Sequence, residues 1–372
     1  MQKFFRSWYG LLGILLMGAC TLSEGAGAPK DVPSSGSLRV LSWNVQALFD
    51  GNQAGNEYDE YLSEAGWGEE KYSARISAIS RAIGQIAEAA GRGSPPDVLA
   101  LVELENPRCL EALAQGELSK HGYGWTYFAK NQGASLGIGV LSRIPFTETR
   151  VHGMVWDQGA APRPVLELWL QPEDSPLVLF VCHWKSKLGG EDKTEILRRA
   201  SARIILRRIR EIRADHPDVP AVIMGDLNEN HDEFYRRGGA TLSALLPDDP
   251  DAADIGAAYT GAGDAFLVLS REKPPAAGHF GGSMPAFYSP WGQELVNGSY
   301  YYKNNWETID HFLLTEQFFD EAGWDFSSCR VLDQAPFTNA KGTPAAYNPR
   351  TGYGLSDHLP LLLELRINAE GK

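Results

Sequence analysis

Cysteine is scarce in this chain, with four in 372 residues. Cys20 stands apart near the N-terminus, and Cys109, Cys182 and Cys329 are too few for a disulfide framework. They leave room for one bridge or for buried free thiols. No Cys/His spacing of the zinc type occurs. The apolar run from Trp8 to Ala19 has twelve residues, short of the roughly 20 that a bilayer-spanning helix needs. Basic residues are outnumbered, 34 Lys and Arg against 47 Asp and Glu, for a net charge of −13. That argues against a partner gripped by bulk positive charge, as non-specific nucleic-acid binding requires. It does not exclude a nuclease whose metal supplies positive charge locally. There is no internal repeat. With 43% hydrophobic and 22% charged residues, the composition is that of a globular protein and not a disordered one.

The short apolar run follows Lys3 and Arg6, which gives it the form of a signal-peptide core. It ends in Met17-Gly18-Ala19-Cys20, which resembles a bacterial lipoprotein cleavage box. The resemblance implies a signal peptide over residues 1–19, with Cys20 as the lipidated N-terminus of the mature chain. Residues 20–37 are rich in Gly, Ala, Ser and Pro and read as a flexible tether. The implied address is the bacterial cell envelope, on the outer membrane if the host has two, because Thr21 is not an Asp. A plain signal peptide cut after Ala19 is the alternative.

Past the tether, short β-branched runs alternate with helical stretches. Strands are expected at 38–43, 98–102, 123–129, 136–141, 148–155, 164–170, 177–183, 220–224, 309–314 and 359–366. Ile76, Ile79, Ile83 and Ile86 mark one face of a helix over about 71–90. A second helix is expected over 192–214, packed through Ile204, Ile205, Leu206, Ile209 and Ile212. Its arginines, Arg198 to Arg213, then form a solvated outer face. The Gly- and Pro-rich stretch 271–298 is a candidate functional loop. An α/β or α+β domain follows from this pattern.

Polar residues stand at the ends of several apolar runs: Asn44 after LSW, Glu103 after VLALV, His183 after LFVC, and Asp226 and Asn228 in GDLNEN. Asp310 lies in ETIDHFLLT, and Asp357 and His358 open GLSDHLPLLLEL. A carboxylate directly after such a run is costly to bury unless it is paired or binds a metal. One such residue is an ordinary cap or turn. Six such places in one chain point to a shared site.

The ordered series LSWNVQ, LVELEN, VCHWKSK, MGDLNEN, IDHFLL and LSDHLP resembles the endonuclease/exonuclease/phosphatase superfamily, across residues 38 to about 365. HWKSKLGG and SYYYKNNWETID look most like its exported bacterial members. The resemblance implies one domain over 38–368 with a deoxyribonuclease-I-like fold, a four-layer α/β/β/α sandwich. It implies an active site at one end of two packed sheets. Glu103 would be the main ligand of Mg²⁺, with Mn²⁺ or Ca²⁺ as alternatives, because a carboxylate offers the hard oxygen this ion selects. Asn44 and Asp357 would stand beside it. His358 would be the general base, oriented by Asp310. Asp226 would position the attacking water or protonate the leaving group. Asn228 would donate to the phosphoryl oxygen, and His183 would neutralise the phosphate or serve the leaving group.

The expected function is therefore a Mg²⁺-dependent phosphoesterase, foremost a sequence-nonspecific nuclease. Lys185, Lys187, Tyr302 and Trp306 would meet the substrate. Tyr300, Tyr301, Tyr302 and Trp306 lead directly into Asp310 and read either as a stacking platform or as strand packing. The expected partners are nucleic acid as substrate and a membrane through the lipid anchor only, with the protein a monomer. A phosphatase or phosphodiesterase on lipid headgroups or small metabolites is the alternative, for which Phe280, Phe287, Tyr288 and Trp291 would form an exposed apolar hairpin. A catalytically inactive binding protein is the third reading.

Overall fold

The computed structural model describes residues 36–89, 95–154, 161–258, 265–281, 284–295 and 297–368. The signal segment 1–19, Cys20 and nearly all of the tether 20–37 lie outside the described residues. In chain order the strands are β1 (Ser37–Leu48), β2 (Val98–Leu104), β3 (Trp125–Ala129), β4 (Gly137–Ser142), β5 (Phe146–His152), β6 (Val165–Leu170), β7 (Leu177–His183) and β8 (Ala221–Asp226). They continue with β9 (Leu245–Pro247), β10 (Leu267–Ser270), β11 (Ala286–Tyr288), β12 (Tyr300–Tyr302), β13 (Asn305–Glu307), β14 (Asp310–Leu314), β15 (Gly323–Val331) and β16 (Leu361–Asn368). The main helices are α1 (Glu69–Ala89), α2 (Pro107–Gln115) and α3 (Glu191–Asp215).

Two mixed sheets form the centre. One has six strands in the order β15-β16-β1-β2-β4-β3, the other eight in the order β5-β6-β7-β8-β14-β11-β10-β9. Strand alternation sends successive side chains to opposite faces, and this builds the layers. Leu41 and Trp43 of β1 pack with Ile79 and Ile83 of α1 and Leu110 of α2. Val40 of β1 meets Leu179 and Val181 of β7 and Phe312 of β14 between the sheets. Phe180 and Cys182 of β7 face Ile205 and Ile209 of α3. The result is the expected α/β/β/α sandwich of deoxyribonuclease-I type. Both faces of β7 are buried, which is why LVLFVCH reads as a continuous apolar run.

Three expectations are corrected. The stretch 271–298 contains β11, and Phe287, Tyr288 and Trp291 are core residues. Phe280 packs on Phe266 at 5.4 Å, so these four make no exposed apolar hairpin. Arg198 is fully buried and Arg208 nearly so, each on a carboxylate, so the arginines of α3 are not one solvated face. Residues 148–155 carry β5 only as far as His152, and the strand begins earlier, at Phe146. Cys109, Cys182 and Cys329 are buried free thiols.

Candidate active site

Strand direction gathers the polar residues at one pole of the sandwich. β1 and β2 are parallel, with Asn44 beside Val102. β7 and β8 are also parallel, pairing His183 with Asp226. β14 runs against β8 and places Asp310 opposite Asp226. β16 runs against β1, so the residues just before it, Asp357 and His358, come back to the Asn44 end. Six chain-distant segments therefore end together.

Local backbone then aims the side chains. The β2 ladder shifts register between Val102 and Leu104, and Glu103 sits there with φ 71°. A bulge of this kind turns a side chain out of the strand's alternation, and it holds a non-glycine residue in a sparsely populated conformation. Ala47 N donates to Glu103 Oε2 at 2.7 Å. Gly225, with φ 122°, must be glycine because a Cβ would lie 2.0 Å from the carbonyl oxygen of Cys182. Asp226 Oδ1 accepts from Asn228 N at 2.9 Å, and Asn228 takes a left-handed φ of 52°. Asn228 Nδ2 donates to the Trp184 carbonyl at 3.2 Å.

Asn44 Nδ2 donates to Glu103 Oε1 at 3.2 Å and to Asp226 Oδ2 at 3.0 Å, while its Oδ1 accepts from Gln46 N at 2.9 Å. His183 Nε2 lies 3.7 Å from both Glu103 Oε1 and Asp226 Oδ2. His358 Nδ1 is 2.8 Å from Asp310 Oδ2, leaving Nε2 4.0 Å from Asp226 Oδ2 and from Asp357 Oδ1. Ser299 Oγ donates to Asp310 Oδ2 at 2.6 Å. Ser356 Oγ donates to the Asn44 carbonyl at 2.7 Å and accepts from His358 N at 3.0 Å. Trp43 Nε1 donates to the His358 carbonyl at 3.0 Å.

The electrostatics divide the ionisable groups. Burial and the neighbouring Asp310 push the Asp226 carboxyl up to about 7. Burial works against charge on His358, yet Asp310, Asp357 and Asp226 outweigh it and raise this imidazole well above its ordinary range. His183 goes the other way, held well down by burial and by Arg163. Both influences favour the uncharged ring. Burial also raises Asp357.

The donor set suits a hard divalent cation. Among the described residues the only ion-pair partners of Glu103, Asp226, Asp310 and Asp357 are histidines, and no Lys or Arg lies within ion-pair distance. Ligand atoms of Asp226, Asp310 and His358 lie within 4.8 Å of one another. Asp310 Oδ2 is already shared by Ser299 and His358, so it is the least available of the carboxylates. Glu103 and Asp357 are the more open ones. Oxygen-rich sites with few fixed cations are those that hard divalent cations occupy.

Two residues expected at the substrate are turned elsewhere. Lys187 Nζ is held by both Glu233 oxygens at 2.7 Å. Trp306 pairs across the β12–β13 hairpin with Tyr301, on the face opposite Tyr300 and Tyr302. Among the described residues Lys185 Nζ is bound only to neutral acceptors, Ser186 Oγ at 3.2 Å and the Leu188 carbonyl at 3.4 Å. Tyr302 is exposed and stacks 6.1 Å from Tyr300, which lies 4.6 Å over His358. Sequence reasoning missed Ser299, Ser356 and Arg163, whose NH1 donates to the Trp184 carbonyl at 2.8 Å. Ser356 was within reach, since it sits inside LSDH. Nothing in the sequence singles out Ser299 or Arg163.

A model of the Endonuclease/Exonuclease/phosphatase family matches residues 39–243, more than half of the chain. Among solved structures, truncated TDP2 of Caenorhabditis elegans is similar at 14% identity and a TM-score of 0.50, over 89% of this chain and 97% of that one. A D. rerio TDP2 humanized by 14 mutations is similar at 14% identity and a TM-score of 0.50, over 89% of this chain and 100% of that one. These likenesses are of fold. No curated protein matches the chain.

Proposed function

The chain belongs to the endonuclease/exonuclease/phosphatase family, and from that premise we propose that it is a Mg²⁺-dependent phosphodiesterase that cleaves nucleic acid with little sequence preference. The observation that carries the reading is the convergence of Glu103, Asn44, His183, Asp226, Asp310 and His358 at one pole, with carboxylates lacking Lys or Arg partners among the described residues.

Glu103 would hold the Mg²⁺, with Asp357 and Asn44 beside it. A bound Mg²⁺ supplies Lewis-acid stabilisation of charge on the phosphoryl oxygens. The remaining work falls to side chains of this protein. Asp310 fixes His358 Nδ1, so Nε2 of the neutral ring is the atom that takes the proton of the attacking water. Asp226, with its carboxyl near 7, orients that water or returns a proton to the leaving oxygen. Asn228 and neutral His183 donate hydrogen bonds where charge develops on the phosphoryl group. Lys185 meets the substrate backbone, and Tyr302 offers a ring on which a base stacks.

A second reading, a phosphodiesterase or phosphatase on lipid headgroups or small phosphorylated metabolites, is favoured by two apolar side chains on loops flanking the site. Leu188, five residues after His183, is 84% exposed, and Tyr353, five residues before His358, is 80% exposed. A Mg²⁺-dependent hydrolysis panel covering DNA, RNA, sphingomyelin and phosphomonoesters separates the readings. Turnover of DNA or RNA is expected. Turnover of sphingomyelin or monoesters alone would overturn the nuclease assignment and leave the catalytic residues standing. We further propose that the protein is a monomer anchored to the bacterial envelope through lipid on Cys20.

A further inference from the structure

We propose that Ser299 and Tyr300 are positioning residues that hold the His358 imidazole and its Asp310 partner in working geometry. This rests on the reading of His358 as the proton acceptor. Three contacts from one dipeptide converge on this pair. Ser299 Oγ donates at 2.6 Å to Asp310 Oδ2, the oxygen that faces His358 Nδ1 at 2.8 Å. The backbone of Tyr300 bridges His358 in antiparallel fashion, and Leu359 N donates to the Ser299 carbonyl at 2.7 Å. The Tyr300 ring lies over the His358 ring with centroids 4.6 Å apart and planes 29° from parallel.

Each contact removes a different freedom. An imidazole on one carboxylate can still swing about that hydrogen bond, because its outer torsion is broad. The Tyr300 ring blocks the swing on one face, and offset stacking of this kind is attractive. The Ser299 hydroxyl fixes the Asp310 carboxylate, so the acceptor for Nδ1 does not rotate away. Asp310 Oδ1 has no partner of its own, which leaves Ser299 and His358 to set the carboxylate plane. The Tyr300 hydroxyl is not needed for any of this, so a phenylalanine serves equally.

The test uses the full chain with ¹³C-labelled histidine. The His358 ring resonances, identified by their loss in His358→Gln, are expected upfield through the Tyr300 ring current. They should move downfield in Tyr300→Leu and stay in Tyr300→Phe. On a chromogenic phosphodiester with Mg²⁺, Tyr300→Leu is expected to lower kcat about 10²-fold, the scale of an ångström's misplacement, with KM unchanged. Tyr300→Phe should recover the loss, and Ser299→Ala should lower kcat where Ser299→Thr does not. An unmoved His358 resonance in Tyr300→Leu would overturn the proposal. So would a lost upfield shift with kcat intact, or a rise in KM alone. Full activity of His358→Ala would instead sink the catalytic reading, while the resonance still reports whether Tyr300 holds the ring. If Tyr300→Leu fails to fold, the Ser299 pair decides on kinetics alone.

Discussion

Asp226 and Asp310 are cross-strand partners, paired in register between β8 and β14, so two buried carboxylates face each other at the heart of the site. Like charges placed directly opposite on a sheet are unfavourable. The fold tolerates them because Asn44 donates to Asp226, while Ser299 donates to Asp310 and His358 pairs with it. Burial, with the neighbouring Asp310 adding to it, still leaves the Asp226 carboxyl raised. Under the proposed function such a pair serves chemistry and not stability.

Asp226→Asn should therefore separate the two. Turnover is expected to fall by about 10²–10⁴, the range for a lost acid–base group. Melting temperature, read by calorimetry in metal-free buffer at pH 7.5, should stay level or rise. A large drop in melting temperature would mean that the carboxylate is structural.

Glu103→Gln keeps the size of the side chain and leaves an oxygen to accept from Ala47 N. Mg²⁺ binding measured by calorimetric titration should be lost, with the circular dichroism spectrum unchanged. Full Mg²⁺ affinity in this variant, or full activity of the wild type in excess EDTA, would remove Glu103 from the metal site.

The two lysines should behave differently. If nucleic acid is the substrate, cleavage falls steeply with added salt. Lys185→Ala should flatten that slope and spare a small chromogenic diester. Lys187→Ala should leave the slope alone and lower thermal stability instead, because Lys187 Nζ is committed to Glu233. Equal flattening by both would show that the Lys187–Glu233 pair opens for substrate.

Away from the site, Glu167 gives the pH test. Burial pushes its carboxyl up, yet hydrogen bonds from Arg208, His152 and Trp169 hold it well below the usual carboxylate range. A depressed carboxyl contributes stability that is present above its unfolded value of about 4.3 and lost as pH falls through the folded one. Glu167→Gln removes the charge facing Arg208 and leaves that arginine, among the described residues, only Glu211 as an ion-pair partner, so it should lower stability at pH 7. Denaturant melts should show that gap narrowing below pH 4. A gap independent of pH would mean that packing, and not charge, is what Glu167 supplies.

Cys20→Ala should abolish incorporation of labelled fatty acid in a bacterial host. Equal labelling of both proteins would end the lipoprotein proposal.

The strands and helices were largely legible because burial imposes period. LVLFVCH reads as a strand, and the isoleucines of α1 mark one face of a helix. The strand ends were legible because a carboxylate after a buried run needs a reason to be there. β15 and α2 were not legible. β15, GWDFSSCRV, alternates weakly beside one neighbour, and α2 is nine residues long and starts at a proline.

By itself, then, the sequence determined most of the strands and the two long helices and nominated Asn44, Glu103, His183, Asp226, Asp310 and His358, since apolar period and polar strand ends are local properties. The four layers were implied only by the family resemblance. Tertiary structure alone decided what each residue faces. The bulge at Glu103, the Tyr300 ring on His358 and the Ser299 hydroxyl on Asp310 arise from register between segments far apart in the chain. It also withdrew Lys187 and Trp306 from the substrate, because Glu233 and Tyr301 reach them first. Contacts of that range depend on how strands pair and sheets pack, and no local spacing encodes them.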